Sequence, residues 1–286
     1  MKYIFWLLIF IASSSNGKAQ INNTNDSIPQ HAYMNNVYYP NPYRNNILSE
    51  YFNPDQIDFS QDFLSLETKR TEANASPVDM SMYSFDSNIF CTGDFEQNGI
   101  LGNENQRIKI YISRAEKLNN SLVFHIEGKS NVKETIRKFE GKITILSVYK
   151  HMADRIYPGQ GIIFCQYELF ENKEEEHPGI FRGIFEATIR IDSKNQRIKL
   201  DERLSRGSLY NNRTYVGTWI TYDGKITQKC IWGDYRLPFT FNFDCGDYVM
   251  TACKKYIKNG WETFSDGSEY DCTGTPCILK DRWWIE

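Results

Sequence analysis

Apolar and polar residues alternate from Phe90 onward, which is the mark of strands buried on one face. In "RIKIYIS" Ile108, Ile110 and Ile112 share one face against Arg107, Lys109 and Tyr111. In "LVFHIEGK" Leu122, Phe124 and Ile126 oppose His125, Glu127 and Lys129. Further strands are predicted over Phe139 to Tyr149, Ile162 to Phe170, Ile180 to Ile191, Arg197 to Asp201 and Thr214 to Tyr222. Polar turns such as "EKLNNS", "YPGQG" and "ENKEEEHPG" join them. No amphipathic helical run separates the strands, so an all-β antiparallel meander is expected rather than crossover units.

Glycines recur on the apolar phase of this pattern. Alternate residues read Cys91, Gly93, Phe95; Phe139, Gly141, Ile143; Phe181, Gly183, Phe185; and Tyr215, Gly217, Trp219. An interior glycine weakens an isolated strand, so its repetition at one phase points to a sheet that coils tightly or is covered there by neighbouring rings. The expectation is a small closed barrel. The alternative is a flat sandwich in which the glycines coincide by chance.

The order "HIEGKSNVKETIRKFEGKI", "YELFEN", "FRGIFEATIRID" and "YVGTW" resembles the meander of calycin-type barrels, the avidin-like and lipocalin-like folds. The likeness covers about half the chain, Phe90 to Tyr222. It implies an up-and-down barrel of about eight strands with a cavity at one end. It also implies a ligand-binding role for Ser130 of "GKSNV", the match to the loop serine of the avidin type. The glycine and asparagine expected just after that loop's valine are Lys133 and Glu134 here, which argues against biotin. Phe139, Phe185, Tyr215 and Trp219, beside the inward glycines, complete the set of candidate ligand-binding residues. "YVGTWITYDGK" is also similar to one MORN repeat, but the irregular glycine spacing disfavours a repeat array.

The flanks differ from this core. Residues 20–85 are rich in Asn, Tyr, Pro and Ser and lack periodicity, so a loosely ordered arm is expected, with a short helix near Pro54 to Glu67 or tyrosines packed on the main domain. Residues 86–223 are expected to form the barrel domain. Residues 224–286 are expected to be a cysteine-rich extension in which "PFTFNFD" and "KCIWGDYRL" pair as a hairpin.

At the N-terminus an apolar run, "YIFWLLIFIA", follows Lys2 and precedes Gly17-Lys18-Ala19. It is too short to span a bilayer and carries a small-x-small pattern, so residues 1–19 read as a signal peptide cut before Gln20, with an N-terminal anchor as the alternative. No later segment is apolar enough for a transmembrane helix, and a secreted or periplasmic protein is expected. Export allows disulfides among the seven cysteines. Candidates are Cys272 with Cys277, Cys245 with Cys253, and Cys91 with Cys165 across the sheet. The odd number leaves at least one thiol unpaired within the chain.

Net charge is -3, with 33 basic against 36 acidic side chains and no long single-sign run, so no nucleic-acid footprint is present. Catalytic motifs are lacking. His125, His151 and His177 sit beside no nucleophile motif, and His125-x-Glu127 with Pro276-Cys277 lacks the second cysteine of a zinc deaminase. Strand acids Glu168, Glu186 and Asp94 could form a carboxylate pair only if two converged, which alternation does not show. No cofactor or metal is expected. The reading is a binding or interaction module taking an apolar or glycan ligand at the barrel mouth, or a partner protein. The alternatives are a secreted hydrolase with catalytic residues not identified by pattern, and a structural envelope protein without a small ligand.

Overall fold

A computed structural model describes residues 52–119, 121–152, 158–204, 211–246, 250–271 and 278–285. The leader and the first part of the arm, together with Cys272 and Cys277, lie outside the described residues. In chain order the elements are α1 (Ser60–Glu72), β1 (Ala75–Pro77), β2 (Ser84–Phe85), β3 (Gln97–Leu101), β4 (Gln106–Lys117), β5 (Val123–Val132) and β6 (Thr135–His151). There follow β7 (Gln160–Glu171), β8 (Gly179–Asp192), β9 (Arg197–Leu200), β10 (Asn211–Thr221), β11 (Thr227–Tyr235), α2 (Glu262–Asp266), β12 (Tyr270–Asp271) and β13 (Ile278–Leu279).

Eight strands close a ring in the order β3-β4-β5-β6-β7-β8-β10-β11, each antiparallel to its neighbours, and β11 returns to pair with β3. The alternation legible in the sequence is the inside-outside alternation of this barrel. Its interior is a continuous core that includes Ile110, Ile112, Phe124, Ile126, Ile143, Leu169, Phe181, Phe185 and Trp232. Three expectations need correction. Thr227–Tyr235 is the closing strand, so the barrel extends past residue 223. "PFTFNFD" does not pair with it as a hairpin: Phe239 and Phe241 take positive φ, and Phe239, Phe241 and Phe243 pack instead into a second core. The stretch Cys91 to Phe95 is no strand, because Gly93 has φ 74° within a turn.

That second core lies between the outer face of the barrel and the flanking segments. It joins Ile100, Ile184, Val216 and Ile231, on the barrel strands, to Phe59 and Phe63 of the arm and Phe239, Phe241, Phe243 and Trp261 of the tail. The described part of the arm thus packs on the barrel, and its helix, Ser60–Glu72, begins and ends later than the Pro54 to Glu67 expected. Ser60, Phe63, Glu67 and Thr71 recur at helical spacing and are the buried face of α1. Asp58 accepts a hydrogen bond from Ser60 N at 2.8 Å at the start of the helix. Asp62 in the first turn and Lys69 and Arg70 in the last complement the helix dipole.

One end of the barrel is closed by residues 86–95. Phe90 enters the core against Phe124 (4.8 Å) and Phe185 (5.6 Å). Arg213 holds the segment: it donates to both oxygens of Asp234, at 2.7 and 3.2 Å, and to the carbonyl oxygens of Cys91 and Thr92.

The tail is tied locally by a disulfide between Cys245 and Cys253, whose Cα atoms are 5.0 Å apart. Asp244 beside it accepts from Gly246 N (2.9 Å) and Thr251 N (3.0 Å) and pairs with buried Arg236 at 3.1 Å. Replacing Cys245 by serine is expected to cost about 2 to 3 kcal/mol through the entropy of so short a loop, measured by denaturant unfolding. Full alkylation of both cysteines without a reductant would contradict the linkage. Cys91 and Cys165 do not pair: both thiols are free, Cys91 half-buried on the segment across the barrel end and Cys165 wholly buried in β7. Cys230 is likewise a free, buried thiol. Burial pushes all three thiols up from their ordinary range. No helix among the described residues is long and apolar enough to cross a membrane.

Candidate binding site at the barrel mouth

The end of the barrel opposite the 86–95 segment carries the turns β3–β4, β5–β6, β7–β8 and β10–β11. Two of the residues singled out by sequence meet there around a third that was not. Glu171 is the last residue of β7 and is 3% exposed. Its Oε1 accepts a hydrogen bond from Ser130 Oγ of β5 at 2.6 Å. Its Oε2 accepts from Gly179 N at 2.9 Å and from Trp219 Nε1 of β10 at 3.0 Å. The backbone oxygen of the same residue accepts from Tyr222 Oη at 2.6 Å, and Lys173 Nζ lies 4.7 Å from the centre of that phenol ring.

Local backbone geometry explains how these side chains come together. Gly179 opens β8 directly beneath the Trp219 indole, and a Cβ there would overlap the ring. Phe139 likewise lies on Gly128, where a Cβ would come within 2.7 Å of its Cε2. Both are aromatic rings filling a gap left by a missing side chain on an adjoining strand. Phe139 also meets Phe181 edge-on at 6.0 Å, forming the floor under the polar cluster.

Burial pushes the Glu171 carboxyl above its ordinary range, while the hydrogen bonds from Ser130, Trp219 and Gly179 and the charge of Arg137 pull the other way. Burial, and after it the charge of Glu171, also raises the Tyr222 phenol. Trp219 and Tyr222 are half-buried, each presenting part of an aromatic ring at the mouth.

The remaining candidates fall elsewhere. Phe185 and Tyr215 lie deeper, 4.5 Å apart, with Tyr215 stacked on Trp232 at 4.6 Å. Both are wholly buried and belong to the core rather than to the mouth. Of the strand acids, Glu168 faces outward and pairs with Arg182 at 2.6 Å. Asp94 is in the turn after Gly93, and Glu186 lies on the outer face of the barrel near Glu67 of α1. His125 Nε2 lies 3.4 Å from Glu127 Oε1, two residues along the same outer face, and His177 is exposed in the β7–β8 loop. Among the described residues no group of three His, Cys, Asp or Glu side chains is arranged to hold a metal ion.

Glu171 had a signal in the sequence. In "FCQYELFE" it continues the inward phase of Cys165, Tyr167 and Leu169, so an acid stands where the pattern calls for an apolar residue. Compared with family models, with curated proteins and with solved structures, the chain matches none, and the functional reading rests on this geometry.

Proposed function

We propose that the chain is an exported binding module that takes a glycan at the mouth of the barrel. The observation that carries this reading is the buried Glu171 carboxyl, fixed by three donors directly beside the half-buried Trp219 and Tyr222 rings. A sugar offers hydroxyls to a carboxyl and a C–H face to an aromatic ring, the combination of a few fixed polar groups with apolar walls that defines a small-molecule site. Export is supported by the Cys245–Cys253 disulfide and by the apolar N-terminal run ending in Gly17-Lys18-Ala19.

The test is titration of a panel of neutral mono- and oligosaccharides against the mature protein, read by tryptophan fluorescence. Trp219→Ala is expected to abolish binding of any responding sugar, and Glu171→Gln to weaken it about tenfold or more. A panel with no responding sugar, or equal affinity in both variants, would sink the reading. Glu171→Gln also has a pH signature in stability. A carboxyl whose folded-state pKa is raised contributes most below its unfolded value, and that contribution is lost as pH climbs from about 4.5 toward the raised value. The wild type is therefore expected to lose stability over that window relative to Glu171→Gln, in which this dependence is absent.

A further inference from the structure

Buried cations on the outer face of the barrel and in the tail are matched by carboxylates: Arg107 by Glu269 at 2.9 Å, Arg213 by Asp234 at 2.7 Å and Arg236 by Asp244 at 3.1 Å. Lys229 of β11 departs from this. It is 4% exposed, yet its ammonium makes no ion pair and no hydrogen bond among the described residues. Cys230 and Trp232 belong to the barrel interior, so Lys229 points outward, beside Thr218 of β10 and the turn at Gly102. The tail covers it there, and Nζ lies 5.7 Å from the centre of the Phe241 ring. Phe241 in turn packs in the aromatic core with Phe59 and Phe239. A lysine whose stem covers apolar surface normally keeps its head in water, whereas here most of the head is covered as well. The tip still meets solvent, since Nζ is not one of the polar atoms sealed from it.

Covering an ammonium without giving it a partner favours the neutral amine. Burial pulls Lys229 down to about 8, against the opposing charge of Asp55 in the arm. At pH 7 about one Lys229 in ten is then the free amine, compared with about one in 2,500 for a lysine at its ordinary value. We infer that Lys229 is a covalent capture site for a small uncharged aldehyde, held as an imine beside Phe241. The amine lone pair attacks the carbonyl carbon, both N–H protons leave with the carbonyl oxygen as water, and a C=N bond replaces C=O, so the step needs no oxidant or reductant. The surroundings favour an uncharged, apolar guest: the neighbouring ring is Phe241, and the charge of Asp55 repels an anionic aldehyde while opposing the positive charge of a protonated imine. The inference stands whether or not the mouth takes a glycan.

The test is treatment of the folded wild-type chain with benzaldehyde and sodium cyanoborohydride at pH 7, followed by peptide mapping, because reduction fixes each imine where it forms. Label is expected at Lys229 about tenfold faster or more than at Lys194 and Lys225, which are exposed in turns. The ratio of the Lys229 rate to the Lys194 rate is expected to fall as pH rises past about 8, because Lys229 is by then fully deprotonated while the exposed amine still has protons to lose. Lys229→Arg keeps a cation at the position and removes the nucleophile, so it is expected to lose the fast label and leave the slow ones unchanged. Glyoxylate, an aldehyde bearing a carboxylate, is expected to react more slowly than benzaldehyde at Lys229. Labelling of Lys229 no faster than Lys194, or only after denaturation, would overturn the inference, as would faster capture of glyoxylate than of benzaldehyde.

Discussion

Valine in place of Gly183 or Gly217 is expected to cost about 3 kcal/mol or more, at the upper end of what overpacking a core costs. The two glycines face each other across β8 and β10, with their Cα atoms so placed that a Cβ on either would come within 2.7 Å of the other's Cα. A Cβ on Gly217 would also overlap the Arg182 carbonyl oxygen, and one on Gly183 the Val216 carbonyl oxygen. Backbone cannot step aside as a flexible side chain can. The strands would have to part, and with them the inward rows carrying Tyr167, Phe185 and Tyr215. Thr218→Val, whose side chain points out of the barrel between the same strands, is expected to change stability by less than about 1 kcal/mol. Urea unfolding of the three variants decides it. Equal midpoints would mean that these glycines are not sites of enforced close approach.

Loss of Arg107 is expected to be of similar size, by a different route. This side chain is buried on the outer face of β4, where the tail crosses it. It donates to Asn98 Oδ1 at 2.8 Å and to both oxygens of Glu269 at 2.9 and 3.1 Å, and lies 3.4 Å from Glu96 Oε1. The guanidinium lies against Trp261 and Phe264, 5.5 and 5.2 Å from their ring centres. Glu96 is completed by Lys109 at 3.0 Å and by the indole N–H of Trp283. Removing the cation leaves the Glu269 carboxylate without its charge partner, beside the Thr263 hydroxyl at 3.2 Å, and Glu96 with less compensation in a desolvated place, a loss that costs about 3 to 5 kcal/mol when a buried pair is broken. Arg107→Met should therefore lower the unfolding midpoint strongly and expose residues 254–271 to limited proteolysis while the barrel itself persists. Arg107→Lys is expected to recover only part, since an ammonium cannot reproduce the planar fork that serves Asn98 and Glu269 together. A tail as protease-resistant in Arg107→Met as in the wild type would show that the aromatic contacts alone hold it.

The contrast between these two sites shows what sequence can convey. Periodicity two is a local property, so strands β4 to β10 could be read from it, and the inward glycines at 141, 183 and 217 follow from the same count. The closing strand was harder. In "TQKCIWGDY" Cys230 and Trp232 alternate inward correctly, yet cysteines and a following phenylalanine run gave the segment the look of the tail. What "PFTFNFD" lacked was any sign of its positive-φ backbone, which turns its three rings toward one surface without strand geometry. The mouth cluster was legible in pieces. Ser130 and Trp219 were marked by resemblance and by the glycine pattern, but Glu171 joins them through contacts between β5, β7 and β10, and register across strands is not written in any one of them. Arg107 carried no signal, because its partners Glu96 and Glu269 lie on either side of it in the chain and meet only after the tail has docked.

Ring closure has a kinetic consequence. Every other seam of the barrel joins strands adjacent in the chain or separated by the short β9 excursion, and such hairpins can form early. The last seam brings Gly99 opposite Trp232 and Leu101 opposite Cys230, residues from the two ends of the barrel sequence. Contacts of such long sequence separation demand the largest loop-closure entropy and set the pace of folding. A chain emerging N-terminus first carries β3 with one edge unpaired until β11 has followed it out. During that interval the edge is a template for pairing with another copy, so the rate of emergence, as much as final stability, governs how much of the chain escapes aggregation.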